Sequence, residues 1–98
     1  MDTNEPVSLT AHYTDKLRVR VCGILLQDKK ILLVRHQNIA GEYNLWSPPG
    51  GGLAFGEKAM NCLVREFREE TGLEVKPLRY LFLHEYLKEP LHALELFF

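Results

Sequence analysis

The stretch REFREETG, Arg65 to Gly72, places three glutamates, Glu66, Glu69 and Glu70, three and four positions apart. Ionised carboxylates offer only oxygen acceptors. Gathered at one end of a helix they suit either an ion-pair cluster with neighbouring arginines or a seat for a hard divalent cation. Mg²⁺ takes oxygen ligands, commonly one or two carboxylates completed by substrate phosphates and water. Zinc would want histidine or cysteine instead. Upstream, WSPPGGG, Trp46 to Gly52, sets two prolines ahead of three glycines, so backbone there can approach a ligand with no Cβ in the way. Cation-assisted chemistry on a phosphate group is what these residue types and their order suit best.

A helix has to carry the glutamates. From Glu57 to Glu70 the chain has neither glycine nor proline, and Gly72 is placed to end the helix in a left-handed conformation. On a wheel of about 100° per residue, Ala59, Met60, Cys62, Leu63, Val64 and Phe67 form one apolar arc, which we expect to face a sheet. Glu66 and Glu70 fall inside that arc, and Glu69 sits at its edge. Lys58, Asn61, Arg65 and Arg68 take the opposite side. Carboxylates are unfavourable near a helix C-terminus, by some tenths of a kcal/mol up to about 1 each, and Glu66 and Glu70 repel each other at i,i+4. Something positive must compensate. Arg65 and Arg68 supply the bland answer, a cation the sharper one.

The glycine run does not match two familiar phosphate loops. Gly51 and Gly56 have Walker spacing, but Glu57 and Lys58 follow where Lys and Ser or Thr are needed. A dinucleotide fingerprint from Gly50 reaches Phe55 where its third glycine belongs.

Around this centre, residues 1–16 lack a sustained period and read as a leader, followed by one domain over residues 17–98. Leu17 to Leu26 reads as a strand entering a core, and Ile31 to His36 as a second, with a polar hairpin turn at Gln27 to Lys30. The connection from Gln37 to Glu57 is long for so small a domain, and long ordered loops are usually functional. Beyond the helix, Leu73 to Leu87 and Leu91 to Phe98 read as two further strands, with a turn at Lys88 to Pro90. The sequence stops at Phe98 inside an apolar run, so we expect the domain to be incomplete at its C-terminus.

Composition narrows the class. Ninety-eight residues, 46% hydrophobic and 26% charged, describe one globular domain, and a formal net charge of -1 provides no basic footprint for nucleic acid. The cysteines Cys22 and Cys62 lie in apolar runs and read as buried thiols rather than a disulfide framework. Residues 1–16 form neither a signal peptide nor a membrane span, so a cytoplasmic location is expected, with no membrane partner.

The segment Gly51 to Leu73 resembles the signature of the Nudix hydrolases: Gly, five residues, Glu, seven residues, then Arg-Glu-U-x-Glu-Glu-x-Gly-U, with U bulky and usually aliphatic, a place that Phe67 fills with a bulky aromatic. Gly51, Glu57, Arg65, Glu66, Phe67, Glu69, Glu70, Gly72 and Leu73 occupy those positions in turn. The resemblance implies an α+β fold, a mixed β-sheet in an α/β/α sandwich with the box helix packed on one face. It implies hydrolysis of a nucleoside diphosphate linked to another group, with Mg²⁺, or Mn²⁺, as cofactor. By matched position Glu66 and Glu70 would be the principal ligands, Glu69 a further ligand or water partner, and the Gly50 carbonyl another oxygen. Glu57 and Arg65 would hold the loop and orient the glutamates, with Gly51 and Gly72 in structural support. A small-molecule nucleotide is the partner implied, and a homodimer is compatible with it. The rival is a non-catalytic nucleotide-binding module of the same fold.

Arg35 and His36, at a strand end directed towards the site, are candidates for substrate contact. Glu42 and Tyr43, in the long loop, read first as solvent-facing residues, with lining of a substrate entrance as the alternative. Trp46 is expected to pack under the glycine run. His84 and His92 have no metal-like spacing and read as structural.

Overall fold

The computed structural model describes residues 15–37 and 44–98. Its main sheet has four strands: β1 (Leu17–Cys22), β6 (Gly50–Gly52), β7 (Phe82–Lys88) and β8 (Leu91–Phe97), in the order β6-β1-β8-β7. β1 runs parallel to β8 and antiparallel to β6, while β7 and β8 are antiparallel. The sheet is therefore mixed. Two small ladders lie outside it, β2 (Leu26–Gln27) with β3 (Lys30–Ile31), and β4 (Val34–Gln37) with β5 (Asn44–Ser47). A single helix among the described residues, α1 (Ala59–Thr71), packs on one face of the sheet, so of the expected α/β/α sandwich the described residues contain two layers.

Alternation along β1 explains how the helix is held. Val21 points to α1 and is fully buried with Cys62, Leu63 and Phe67, with Leu25, Leu53, Ala59, Val75 and Phe98 packed around them. Full burial of a side chain such as Phe67 contributes about 1.5–3 kcal/mol. Met60, expected in the apolar arc, is 40% exposed instead: the sheet is narrow at β6 and the arc is wider than the surface it covers. Lys58 precedes the first turn in an extended conformation, and Gly72, at φ 76°, closes the last by donating its N–H to Arg68 O at 3.0 Å. Thr71 Oγ1 donates to Phe67 O at 2.6 Å and accepts from Leu73 N at 3.1 Å, which finishes the helix end.

Several elements differ from the sequence expectation. The first strand ends at Cys22, because Gly23 N turns to Pro49 O at 2.9 Å and a Cβ at Gly23 would collide with Phe67. Asp28 and Lys29 both adopt positive φ, 52° and 63°, forming the tight hairpin turn anticipated there. The single strand expected from Ile31 to His36 is interrupted at Leu32 and Leu33. Residues 73–81 are irregular where a strand was expected. Pro77 removes a donor from any ladder there, and pairing with β8 starts only after Leu81 N donates to Phe97 O at 2.7 Å. The turn falls at Glu89 and Pro90, as anticipated. No helix among the described residues is long and apolar enough to cross a membrane.

Candidate active site

The three glycines expected to form an open loop are a strand. β6 pairs with β1 so that Gly50, Gly51 and Gly52 stand opposite Cys22, Val21 and Arg20. Register decides why glycine is needed. Gly51 faces α1, where a Cβ would overlap the Glu66 carboxylate, and a Cβ at Gly50 would overlap the Val21 carbonyl and Cys22. Helix and glycine strand thus meet at backbone distance, with a carboxylate between them.

Arg65 organises the cluster. Its Nε and Nη2 donate to the two oxygens of Glu57 at 2.8 and 3.0 Å, its Nη1 to Glu66 Oε1 at 2.9 Å and to Glu69 at 3.3 and 3.4 Å, and its Nη2 to Gly52 O at 3.3 Å. Glu57 accepts a further bond from Ala54 N at 3.2 Å. Paired guanidinium bonds, with help from that amide, hold the Glu57 carboxyl down at about 2. The same bonds raise the Arg65 pKa above its ordinary value. Cys62 lies beneath, its thiol directed to Gly52 O at 3.6 Å, and burial with Glu57 nearby pushes it up to about 11. Cys22 is likewise a buried free thiol, raised to about 11 by desolvation.

The helix distributes the glutamates as the wheel indicated. Glu66 is 13% exposed and Glu69 56%, and Glu70 is half-buried with its Oε2 shielded from solvent. Arg65, assigned to the outer side, instead reaches back along the helix to Glu57 and the glycine strand. Among the described residues no group of three or more His, Cys, Asp or Glu gathers around one point; the cation bridging Glu66 and Glu69 is Arg65 itself. The donor set still fits a hard divalent ion in kind. Glu66 presents oxygen against a strand whose missing Cβ at Gly51 leaves room for it, and Glu70 follows one turn later on the same side.

Other expected residues are not brought to this cluster. Arg35 is exposed in β4, opposite Trp46 of β5, in the separate ladder. His36 pairs with Leu45, and its side chain, like residues Glu42 and Tyr43, lies outside the described residues. Trp46 is 59% exposed rather than packed under the glycines. The sequence reading missed the placement of Cys62 under Gly52; the i,i+3 spacing of Cys62 and Arg65 was the available signal. It also missed a polar row through Arg20, Glu95 and His84 on the opposite sheet face.

Comparison with known proteins agrees with the motif. The m7GpppN-mRNA hydrolase NUDT17 of Xenopus laevis is 37% identical over 64 residues, covering 62% of this chain and 22% of that protein. The putative ADP-ribose pyrophosphatase YjhB of Bacillus subtilis is 33% identical over 89 residues, covering 86% of this chain and 40% of that protein. The chain thus spans well under half the length of either relative. The crystal structure of a MutT NUDIX hydrolase from Burkholderia pseudomallei superposes with a TM-score of 0.76 at 24% identity, over 85% of this chain and 65% of that one, a likeness of fold. The family description NUDIX domain matches residues 16–93, and on that match, with the Arg65 cluster set against the glycine strand, the chain belongs to the NUDIX family.

Proposed function

We propose that the chain hydrolyses the diphosphate linkage of a nucleoside diphosphate joined to a further group, with Mg²⁺ or Mn²⁺ as cofactor. The observation that carries this reading is the Glu66 carboxylate held by Arg65 against the Gly51 backbone. Glu66 and Glu70 would hold the cation, with the Gly50 carbonyl and Glu69 as further oxygens. When bound, it supplies charge neutralisation at the phosphates and a more acidic water. The chain's own residues do the rest. Glu57 anchors Arg65, and Arg65 keeps Glu66 from swinging away. Gly51 makes room for the Glu66 carboxylate, and Gly52 would leave the backbone open to an anionic diphosphate. Glu69, exposed and bonded to Arg65 only at 3.3 Å or more, would take the proton of the attacking water at a carboxylate oxygen. Water adds at one phosphorus, the bond to the bridging oxygen breaks, and the two phosphoryl groups leave on separate products.

The names of the relatives point to substrates that share this linkage, an mRNA cap and ADP-ribose, so the test panel contains ADP-ribose, a dinucleotide cap and nucleoside triphosphates, each with and without Mg²⁺. Metal-dependent cleavage of at least one member is expected. Glu70→Gln should lower turnover by at least about 100-fold, since a lost charge-stabilising group in an active site costs on that scale. Absence of cleavage across the panel overturns the reading.

One observation favours the runner-up, a module that binds nucleotide without turning it over: Arg65 already neutralises both Glu66 and Glu69. That reading predicts saturable nucleotide binding and no product.

A further inference from the structure

The main sheet ends at β7, and no strand among the described residues pairs with its outer edge. In the order β6-β1-β8-β7 it has β8 on one side only, so about half of its backbone N–H and C=O groups point outward. All seven residues of Phe82–Lys88 are exposed, and α1 lies over β6 and β1 at the other side of the sheet. Proteins usually blunt such an edge with proline, a bulge, brevity or inward-pointing charge. β7 contains no proline, and its seven residues pair without interruption with Leu91 to Phe97. Of the protective devices it carries only a charge, Glu85.

Register fixes which way the side chains point. Leu83 stands opposite Leu96, which stands opposite the buried Val21. Leu83, Glu85 and Leu87 therefore lie on the side of α1, and Phe82, His84, Tyr86 and Lys88 on the other. The order FLHEYLK is close to symmetric about Glu85. When two copies of a strand meet antiparallel about a two-fold axis perpendicular to the sheet, facing residues share a side. With that axis at Glu85, Leu83 meets Leu87 of the second copy, His84 meets Tyr86, Phe82 meets Lys88, and all seven residues pair. Moving the axis to His84 or Tyr86 sets a leucine against Glu85 and leaves two residues of the strand unpaired. The axis at Glu85 does bring two carboxylates together, but each lies 2.7 Å from His92 Nε2 of its own β8, which draws it back from the axis.

We propose that β7 pairs with β7 of a second copy of this chain, joining two four-stranded sheets into one across a two-fold axis at Glu85. A foreign peptide would need only the backbone of this edge, whereas side chains that match themselves along the whole strand are what a second copy requires. Pairing covers Phe82, Leu83, Tyr86 and Leu87, all of them exposed in the single chain. The Phe82 ring, already stacked on Phe97 with centroids 4.7 Å apart, receives the Lys88 ammonium of the second copy as a cation–π partner. β6 is the opposite edge of the sheet, so both glycine strands stay at the outer ends of the joined sheet. Dimerisation and the reaction proposed above can therefore succeed or fail separately.

Sedimentation velocity over a concentration series, together with cysteine variants, tests both the dimer and its axis. The wild type should pass from monomer to dimer, with dimer predominating by about 100 µM, since one strand pair makes an interface at the weak end of specific association. Under a mild oxidant Glu85→Cys should give a disulfide-linked dimer, because facing residues of antiparallel strands have Cα atoms about 4.5–5.5 Å apart, within disulfide reach. Leu83→Cys should not, since the two copies of residue 83 would stand about 14 Å apart along the strands. Cys22 and Cys62 are buried, so the wild type should stay unlinked. Glu85→Gln should tighten the dimer about 2–5-fold by removing like charges at the axis. Leu83→Lys should leave the monomer folded, read by circular dichroism, and abolish the dimer; Leu87→Lys, at the more exposed leucine of the pair, serves in its place should that variant unfold. A wild type that stays monomeric, its edge covered by another segment of the chain or left to a different protein, overturns the proposal. So does a Glu85→Cys chain that fails to link, or one that links no better than Leu83→Cys.

Discussion

Arg65 meets four acceptor groups, the Glu57, Glu66 and Glu69 carboxylates and the Gly52 carbonyl, and a guanidinium is the side chain whose planar fork can do so. Lysine would replace that fork with a point charge, so Arg65→Lys should loosen Glu66 and weaken Mg²⁺ binding, measured by titration calorimetry. The Glu57 carboxyl is held at about 2 against an ordinary 4.5, so its contribution to stability is fully present above about pH 4.5 and is lost as pH falls towards 2. The melting-temperature advantage of the wild type over Glu57→Gln should accordingly shrink through that window and stay flat above it. Gly51→Ala would drive a methyl group into the Glu66 carboxylate; overpacking of this kind costs about 1–3 kcal/mol, and the Mg²⁺ response should fall with it. The wheel put Arg65 on the outer side of the helix because it records only where a side chain departs, and a long side chain can return across its own turn.

At the scale of elements, α1 is the piece most legible in the residues. Its absence of glycine and proline, its apolar arc and the terminal Gly72 are local properties, and all three recur in the structure to within two residues at its start and one at its end. Gly72 holds φ 76° with open space around it, so Gly72→Ala should lose about 1 kcal/mol through backbone strain alone, read from chemical denaturation. The glycine run was a different matter. Three glycines read locally as a turn, and only their pairing with Arg20, Val21 and Cys22 makes them a strand. Likewise the apolar content of Leu73 to Leu81 suggested a strand, but Pro77 and the absence of a ladder partner among the described residues leave it irregular. Trp46 was assigned to the interior from its chemistry, and its place in the β4–β5 ladder leaves it exposed.

For the molecule as a whole, the buried apolar cluster at the junction of helix and sheet is small among the described residues: Val21, Cys62, Leu63 and Phe67. Phe67→Ala should cost about 3–5 kcal/mol, a large part of the roughly 5–15 kcal/mol that holds a domain folded, and would release α1 from the glycine strand at the same time. A cation that binds only the folded arrangement should raise the melting temperature in proportion to its concentration over its dissociation constant; a thermal scan across Mg²⁺ concentrations, flat in Glu70→Gln, would check this. What the amino-acid sequence by itself determined is the chemistry and its spacing: which carboxylates lie on the buried stripe, which glycine ends the helix, and the family those positions mark, because these depend on neighbours three to fifteen residues away. What only the tertiary structure decided is where Arg65 turns, why Gly51 has no side chain, and that Arg20, Glu95 and His84 share one row. Those contacts join segments far apart in the chain, and strand register, which one residue of slip would invert, is set by the packed sheet as a whole.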